Sequence, residues 1–521
     1  MKKYIVLVIT GILLLIAGCS NSLSHQGHDM GNESTNEKKT NSTKNTKETE
    51  VISTTEFTIV AEETNFSINE DTTLPVWSFN GSIPGSEIRV QQGDQLTIHL
   101  KNELSEPIAI HWHGVPVPNE MDGIPGVTMN AVQPGETFTY EFEATVPGTY
   151  WYHSHQNGAI QVDKGLYGAF IVEPKDKKQV YDKDFTLLLD EWASSGIEHG
   201  SGTSMGHGEH GGHSDNQEQE TNANQPAHDM SMYDVFTING NTADSSKPLL
   251  VQEGDKVRLR LINAGFMSHK IHLHGHDFKI IAVDGQDIHK PQNLKDSLIE
   301  IAPGERYDIE FTADKPGTWP IEAHGENEAS KGMRTFIQYE GLTANGEKKD
   351  DRKEKAAFQT VNMLTYGKPS SKRAFTLEQD YDFSYTMDLG TETNGEGTYY
   401  TINGEKWPNI DRLSVKEGDK IKVTMRNTSP DEDHPMHLHG HFFQILSKNG
   451  MEVKGSPLMK DTINIKPGEE YTIAFQADNP GNWMFHCHDL HHASQGMVTQ
   501  VDYKGYKSTF TPDPEVDNQP E

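Results

Sequence analysis

The chain has 521 residues, 34% hydrophobic and 23% charged, a composition typical of a soluble globular protein. At ~150 residues per domain, this length suggests about three domains. The 77 acidic residues outnumber the 45 basic ones and give a formal net charge of −32. Nucleic acid and anionic membrane surfaces are therefore disfavoured as partners, because both reward clustered Lys and Arg.

The N-terminus has the pattern of an export signal. Met1-Lys2-Lys3 precedes an apolar run, and Ile16-Ala17-Gly18-Cys19 then places small residues before a cysteine. This motif resembles the lipobox of bacterial lipoproteins, so residues 1–19 are predicted to be a signal peptide with Cys19 lipidated. A simple cleaved signal peptide is the alternative, and the run is shorter than the ~20 residues of a membrane span.

Residues 20–55 contain almost no large apolar side chains, so we expect a disordered tether there. From about residue 56 three turns recur in the same order, followed by residues of alternating polarity. The first turn appears as Val90-Gln-Gln-Gly-Asp94, Val251-Gln-Glu-Gly-Asp255 and Val415-Lys-Glu-Gly-Asp419. Alternation of period two indicates half-buried strands.

The repeats predict an all-β protein of three Greek-key β-sandwich domains, at residues 56–174, 175–340 and 375–505. Within the second domain we expect an insertion rich in Gly, His and Met at 196–232, and outside the domains a charged linker at 341–374 and a tail at 506–521.

Four His-x-His pairs occupy equivalent places in the first and third repeats. They are His111-Trp-His113, His153-Ser-His155, His437-Leu-His439 and His486-Cys-His488. Because residues i and i+2 of a strand point the same way, each pair directs two imidazoles to one face. Eight converging imidazoles can hold several metal ions, and copper, zinc and iron all accept imidazole.

The two cysteines, Cys19 and Cys487, narrow this choice. If Cys19 carries lipid, Cys487 has no disulfide partner. Its thiolate points to the opposite face of the strand from the flanking histidines. Further ligands available on that side are His434, His492 and Met497. One thiolate, two imidazoles and a weak thioether form the ligand set of a blue-copper centre, whereas structural zinc sites use more cysteines and no methionine.

These two sites would be joined through Cys487 and the histidines on either side of it. A blue-copper centre accepts one electron at a time, whereas dioxygen needs four electrons to become water. A cluster of several copper ions can collect those electrons, which explains why both sites share one strand.

The motif set resembles that of the multicopper oxidases, the family of laccases and bacterial cuprous oxidases, over nearly all of residues 56–504. The resemblance implies cupredoxin-like domains, dioxygen as acceptor and four copper ions: one type 1, one type 2 and two type 3. It implies that type 1 copper is bound by His434, Cys487, His492 and Met497. It implies that type 2 copper is bound by His111 and His437. It implies that the type 3 pair is bound by His113, His153, His155, His439, His486 and His488.

The same resemblance gives Asp122, in Met121-Asp-Gly-Ile-Pro125, a catalytic part beside Cys487. Its counterpart in the family assists proton delivery to bound oxygen. The alternative interpretation is a turn carboxylate before glycine.

The second repeat departs from the pattern. His269, His272 and His274 align with the histidines of the third repeat, and Met333 aligns with Met497. The second half differs, because Glu322-Ala-His324 stands where His486-Cys-His488 does and Glu328 replaces His492. Without a thiolate no blue-copper site can form. The second repeat is therefore predicted to be a structural spacer rather than an accessory metal site.

The resemblance does not specify the electron donor, and the candidates are phenols, aryl amines, Cu(I), Fe(II) and Mn(II). The insertion at 196–232 favours Cu(I), because thioethers prefer that ion, and so predicts Cu(I) oxidation in copper tolerance. Alternatives are a broad laccase-like phenol oxidase and a non-catalytic copper-binding lipoprotein. A copper nitrite reductase would not need all four histidine pairs. We expect a monomer on the extracytoplasmic face, in a cell wall or a periplasm, held to the membrane only by its lipid.

Overall fold

The computed structural model describes residues 44–69, 71–176, 179–196, 230–325, 331–341, 358–370, 374–395 and 397–521. The predicted signal peptide, most of the predicted tether and nearly all of the insertion lie outside these ranges. Among the described residues, no helix combines the length and the apolar character that a membrane span requires.

The first sandwich consists of two five-stranded sheets. Their strand orders are β1-β3-β6-β8, with β4 paired to β3, and β2-β5-β10-β9-β7. A 3-10 helix covers Asn119–Met121, and helix α1 covers Gly158–Gln161. The strands are β1 (Lys44–Asn45), β2 (Val51–Ile52), β3 (Glu56–Ser67), β4 (Thr73–Phe79), β5 (Gly85–Gln91), β6 (Gln95–Asn102), β7 (Ile110–His113), β8 (Thr137–Glu143), β9 (Gly148–Ser154) and β10 (Tyr167–Glu173).

The second sandwich has two six-stranded sheets, ordered β12-β11-β14-β19-β16-β17 and β13-β21-β20-β15-β18-β22. A second 3-10 helix covers Met230–Met232. The strands are β11 (Lys183–Trp192), β12 (Val235–Ile238), β13 (Leu249–Val251), β14 (Lys256–Asn263), β15 (His269–Leu273), β16 (Phe278–Val283), β17 (Gln286–Asp287), β18 (Ser297–Ile301), β19 (Arg306–Thr312), β20 (Thr318–Ala323), β21 (Arg334–Tyr339) and β22 (Gln359–Thr360).

The third sandwich has a seven-stranded sheet, β24-β23-β26-β32-β28-β29 with β30 on β28, and a five-stranded sheet, β25-β34-β33-β27-β31. Helix α2 covers Leu490–Ser494. The strands are β23 (Phe383–Asn394), β24 (Gly397–Ile402), β25 (Leu413–Val415), β26 (Lys420–Asn427), β27 (His434–Leu438), β28 (Phe443–Lys448), β29 (Met451–Glu452), β30 (Leu458–Lys460), β31 (Thr462–Ile465), β32 (Glu470–Gln476), β33 (Asn482–Cys487) and β34 (Val498–Tyr503). The prediction of an all-β protein with three cupredoxin-like sandwiches is confirmed.

Burial separates ordinary strands from those that carry the histidine pairs. Along β6 and β26, buried and more exposed residues alternate, as expected for strands with one face on a core. Every residue of β7 and of β27 is buried instead. Since β7 is the edge strand of its sheet, another part of the protein must cover it, and the third sandwich does so through its own histidines.

Two segments expected to lie outside the sandwiches contribute short strands to them. The predicted tether at 20–55 ends earlier than expected, because β1 pairs with β3 and β2 pairs with β5, both in parallel. Likewise β22, inside the predicted linker at 341–374, pairs with β18. Edge pairing of this kind satisfies main-chain groups and needs few apolar side chains, so composition does not reveal it.

A buried ion pair joins the three sandwiches. The guanidinium of Arg306, on β19, donates two hydrogen bonds of 2.6 Å to the carboxylate of Asp461 in the third sandwich. Its Nε also donates to the carbonyl of Thr149 in the first sandwich, at 3.1 Å. Burial opposes the charge on Arg306, but Asp461 and Asp284 outweigh it and raise the pKa of the guanidinium. The guanidinium therefore stays charged in the interior, whereas burial, with Asp284 adding to it, raises the pKa of the Asp461 carboxyl against the lowering effect of Arg306.

We expect Arg306→Met to weaken the native state by ~3–5 kcal/mol, because it leaves the Asp461 carboxylate buried without its partner. The measurement is thermal and denaturant unfolding of the copper-free protein. Arg412→Met is the control, since Arg412 pairs with Asp502 at 3.2 Å across side chains that are 47% and 28% exposed. Removal of such a surface pair costs ~1 kcal/mol or less. Equal effects of the two substitutions would refute a special role for Arg306.

Candidate metal centre

The four histidine pairs meet where the first and third sandwiches face each other. In the first sandwich β7 pairs with β9, so that His111 lies opposite His153. In the third, β27 pairs with β33 in the same way, and His437 lies opposite His486. The two hairpin-like ladders interdigitate: the rings of His113 and His437 stack at 3.7 Å between centroids, and those of His111 and His439 at 3.9 Å.

The eight imidazoles include three groups of three, two of which share His113, and within each group the ligand nitrogens lie within 4.8 Å of one another. The groups are His111, His113 and His437; His113, His153 and His488; and His155, His439 and His486. Each of the three groups draws its imidazoles from both sandwiches. The arrangement therefore offers places for several ions at one interface, with no contribution from a second chain.

The hydrogen bonds of these imidazoles fit metal ligation. In all but His488, one ring nitrogen is held by an acceptor of the protein while the other faces the centre. His111 Nδ1 donates to the carbonyl of Asp122 at 2.9 Å, and His437 Nδ1 donates to the carbonyl of Asp461 at 3.0 Å. Other anchors are the carbonyls of Ser154 for His153 and Cys487 for His486, and the hydroxyl of Thr462 for His113.

Several nitrogens that face the centre have no hydrogen-bond partner within the described ranges. They are Nε2 of His111, His153 and His437, Nδ1 of His113 and both ring nitrogens of His488. Buried polar atoms are seldom left without a partner. Anchoring one nitrogen and presenting the other is the pattern of metal-bound histidine, so these residues fit copper.

Asp122 is buried and contacts both sandwiches. One carboxylate oxygen lies 3.0 Å from His439 Nδ1, and the other lies 3.2 Å from His111 Nδ1. Burial raises the pKa of this carboxyl, but the two imidazoles outweigh burial and lower it. Asp122 is thus an ionised group aimed at two imidazoles, rather than a solvent-facing turn residue.

The opposite face of β33 carries the second site. Cys487 Sγ lies 3.8 Å from His434 Nδ1 and 3.6 Å from His492 Nδ1, and these two nitrogens are 3.2 Å apart. Ser429 holds the far nitrogen of His434 at 2.7 Å. Met497 is fully buried, and its carbonyl accepts a hydrogen bond from the Cys487 N–H at 3.1 Å. A sulfur and two imidazole nitrogens therefore converge.

Burial sets the protonation of both sites. It lowers the pKa of most of the imidazoles, to about 3 for His439 and His488 and to about 4 for His492. It also raises the pKa of the Cys487 thiol, with Asp489 adding to the effect. At neutral pH the imidazoles with lowered pKa values are neutral ligands, whereas the thiol must lose a proton when a metal binds.

The C-terminal residues close one side of the imidazole centre, a contact that the composition of this segment does not predict. The carbonyl of Pro520 accepts a hydrogen bond from His155 Nδ1 at 2.6 Å. The Glu521 carboxylate, with its side chain 6% exposed, lies 3.0 Å from His155 Nε2 and 3.3 Å from His486 Nδ1. Main-chain hydrogen bonds at Gln519 fix the segment to the loop after β9.

An acidic run, Asp431-Glu432-Asp433, immediately precedes His434. Glu432 accepts hydrogen bonds from Tyr400 and Thr391 at 2.9 and 2.7 Å, and the Tyr400 ring stacks on His492 at 3.9 Å. Although burial lowers the pKa of His492, Glu432 and Asp433 act to raise it. These carboxylates therefore impose a negative field at the cysteine site. The run could have been read directly from the sequence.

In the second sandwich, the position equivalent to the cysteine site holds no thiolate. His269 Nε2 instead makes a hydrogen bond to the Glu191 carboxylate, and Met333 is fully buried nearby in the core. Glu328 lies outside the described residues. The histidines on the other face of β15 are considered further below.

Comparison with known proteins agrees with this geometry. Three sequence families described as Multicopper oxidase match residues 60–177, 209–341 and 375–505. Multicopper oxidase MmcO of Mycobacterium tuberculosis is 30% identical over 439 residues, 82% of each chain. Laccase-1 of Botryotinia fuckeliana is 29% identical over 473 residues, 83% of this chain and 79% of its own. Copper resistance protein A of Escherichia coli is 24% identical over 549 residues, 81% of this chain and 88% of its own.

Among solved structures, a multi-copper oxidase from Pseudomonas thermotolerans superposes with a TM-score of 0.64 at 25% identity, covering 87% of this chain and 100% of that chain. Three cupredoxin-like sandwiches with a cysteine site and an eight-imidazole centre define a copper-dependent oxidoreductase that uses dioxygen. The chain belongs to the multicopper oxidase family, whose members bind four copper ions.

The buried imidazoles make the copper-free protein sensitive to acid. For most of them the folded pKa lies below the ~6.5 of an unfolded histidine, so below that pH the unfolded chain binds protons that the folded protein excludes. The stability they contribute is present above about pH 6.5 and is lost as the pH falls, by ~1.4 kcal/mol per pH unit for each such imidazole.

We therefore expect the melting temperature of copper-free protein to fall steeply between about pH 7 and about pH 5. His155 opposes this trend, because the Glu521 carboxylate outweighs burial and raises its pKa. Copper-loaded protein, measured in parallel, should show a smaller decrease. A flat profile for the copper-free protein would contradict burial of neutral imidazoles.

Because the C-terminal segment closes one side of the imidazole centre, it should limit the access of small anions to that centre. Removal of residues 513–521 should let a small copper-binding anion, azide, inhibit oxygen uptake at a lower concentration than it inhibits the full chain. Copper content, measured by mass spectrometry, establishes that the shortened protein is loaded. Glu515→Gln is the control, because Glu515 is exposed and contacts no imidazole described here. Unchanged azide inhibition after removal would rule out this segment as the barrier.

Proposed function

We propose that the chain couples one-electron oxidation of a donor, Cu(I), to four-electron reduction of dioxygen to water. In this proposal type 1 copper is bound by His434, Cys487, His492 and Met497. Type 2 copper is bound by His111 and His437. The type 3 pair is bound by His113, His153, His155, His439, His486 and His488. The observation that supports this most strongly is the convergence of Cys487, His434 and His492 on one face of β33, with the eight imidazoles on the other.

When bound, copper supplies the redox chemistry, and the protein supplies the route and the surroundings. Cys487 is bonded through the main chain to His486 and His488, which belong to different imidazole groups. His486 Nδ1 also donates to the Cys487 carbonyl at 2.9 Å. An electron that enters at the cysteine site therefore has a covalent path to both halves of the imidazole centre. The hydrogen bond gives a shorter path to the half that contains His486.

Asp122 is proposed to orient His111 and His439 and to assist proton delivery at the oxygen-reducing centre. Its ionised carboxylate fixes the tautomer of both rings by accepting at Nδ1, which leaves Nε2 of each to face the centre. A carboxylate between the two sandwiches can also accept and pass on protons, as the family resemblance implies.

Cu(I) is favoured over a phenol by the charge around the electron entry site. Glu432 and Asp433 lie partly exposed beside His434 and His492, and a negative field attracts a small cation but not a phenolate. The soft ligands of the 196–232 insertion support the same donor. The name of the relative Copper resistance protein A is consistent with a part in copper tolerance, whereas Laccase-1 is consistent with the phenol alternative.

We further propose an extracytoplasmic location with a lipid on Cys19, supported by Ile16-Ala17-Gly18-Cys19. A monomer is proposed because one chain provides every imidazole of the centre. No nucleic-acid partner is proposed for a chain with a formal net charge of −32.

Oxygen uptake with ligand-stabilised Cu(I) and with a neutral phenol tests the function and the donor together. Copper-loaded protein should consume oxygen with Cu(I), and Cys487→Ser should reduce the rate to the background of the assay. The double variant Glu432→Gln, Asp433→Asn should lower kcat/KM for Cu(I) about tenfold, because it removes two charges at the entry site. Its kcat/KM for the phenol should change little.

Glu452→Gln is the matched control, since Glu452 lies on exposed β29 and its neutralisation should affect neither donor. Faster turnover with the phenol, unaffected by the double variant, would replace the Cu(I) proposal with the laccase-like one. If fully loaded protein consumed no oxygen with Cu(I), the phenol, Fe(II) or Mn(II), the non-catalytic copper-binding alternative would stand instead.

A further inference from the structure

The second sandwich contains a cluster of imidazoles that the oxidase centre does not use. His272 and His274 come from β15 and the residue after it, and His324 follows β20. Their ligand nitrogens lie within 4.8 Å of one another. Because β15 pairs with β20 so that His272 faces Glu322, a carboxylate stands beside the three imidazoles, where the third sandwich has His486.

The spacing of the ligand atoms matches that of the cysteine site. His274 Nε2 lies 3.2 Å from His324 Nε2, as His434 Nδ1 lies 3.2 Å from His492 Nδ1 in the cysteine site. With metal–nitrogen bonds of ~2.0–2.1 Å, two ligands of a tetrahedral ion stand roughly 3.3 Å apart. Glu322 Oε1 fits the same spacing, at 3.1 Å from His274 Nε2 and 3.6 Å from His324 Nε2.

A second, independent observation concerns His272. Its residue is 1% exposed, and neither ring nitrogen has a hydrogen-bond partner in the part of the chain that the structure describes. A neutral imidazole carries one N–H donor and one acceptor, and burial of both without partners is rare. In the oxidase centre His488 also has both ring nitrogens without a partner, and His111, His153 and His437 each have one.

The surroundings complete a ligand pocket. Arg334 holds Glu322 Oε2, which leaves Oε1 toward the imidazoles and fixes the orientation of the carboxylate. The ring of Phe358 packs on His272 at 4.2 Å between centroids and covers the cluster. The His324 side chain is 26% exposed and provides the open side through which an ion can enter.

We propose that His272, His274, His324 and Glu322 form a metal site for one divalent first-row ion, Zn(II) or Cu(II), in addition to the four coppers of the oxidase. Three imidazoles and a carboxylate suit both ions, and with no thiolate the set cannot form a blue-copper centre. The ion would bridge β15 and β20. The sequence predicted a spacer without metal here, because the alignment with the third repeat showed only what had been lost.

The test adds Zn(II) or Cu(II), in separate arms, to the copper-loaded full chain and measures bound metal by mass spectrometry and affinity by calorimetry. Wild-type protein should hold one more ion than His272→Phe or His324→Gln, and the affinity of that site should fall at least ~100-fold on loss of a ligand. The two arms give the affinity of the site for each ion. His289→Gln, a histidine of the same sandwich outside the cluster, should match wild type.

Histidines outside the cluster, including those of the insertion, are present in wild type and in both cluster variants, so the difference between them reports this cluster alone. Equal metal content in all four proteins would show a hydrogen-bonded cluster only and would overturn the proposal. Retention of the Cys487 blue absorption establishes that each variant is folded. As a second measurement, zinc-soaked crystals should show an anomalous peak between the three imidazoles at the zinc edge, and its absence would also overturn the proposal.

Discussion

The buried pairing of Arg306 with Asp461 is the interaction on which the rest of the structure depends. Asp461 contacts the imidazole centre directly, because its carbonyl anchors His437 and a carboxylate oxygen lies 3.3 Å from His113 Nε2. The approach is close enough to require glycine: a Cβ on Gly114 would lie 2.4 Å from both Arg306 Nη2 and Asp461 Oδ2. The second sandwich thus positions a centre to which it contributes no ligand.

Strand periodicity divides the chemistry between two faces of one element. On β33, alternation sends the side chains of His486 and Cys487 to opposite sides, and His488 follows at its end, so that a single turn-free segment serves both sites. Two sites on one strand require extensive burial of polar side chains. The structure offsets it by anchoring one nitrogen of nearly every imidazole on a protein acceptor, which also fixes the direction of the other nitrogen.

Much of the fold and the ligand set could be predicted from the sequence, because both rest on short-range patterns. Repeated turns followed by residues of alternating polarity predict the sandwiches. The His-x-His pairs, and Cys487 between two histidines, predict which side chains share one face of a strand. The anchors could not be predicted in this way. Asp461, Pro520 and Glu521 act on residues hundreds of positions away in the chain, and only the packed sandwiches bring them together. Short edge strands such as β1 and β22 could not be predicted for another reason, because main-chain pairing has little effect on composition.

Copper completes the fold as well as the active centre. An interior that excludes protons from its imidazoles and keeps a thiol neutral is costly while no metal is bound, because several buried nitrogens then lack partners. Binding of metal supplies those partners, so part of the binding free energy stabilises the native state. The second sandwich fits the same logic. At the positions equivalent to Cys487 and His486 the second sandwich has Ala323 and Glu322. The redox-active sulfur is therefore absent, but imidazoles and a carboxylate still lie where they could act as ligands. One divalent ion, Zn(II) or Cu(II), would satisfy that set without a thiolate.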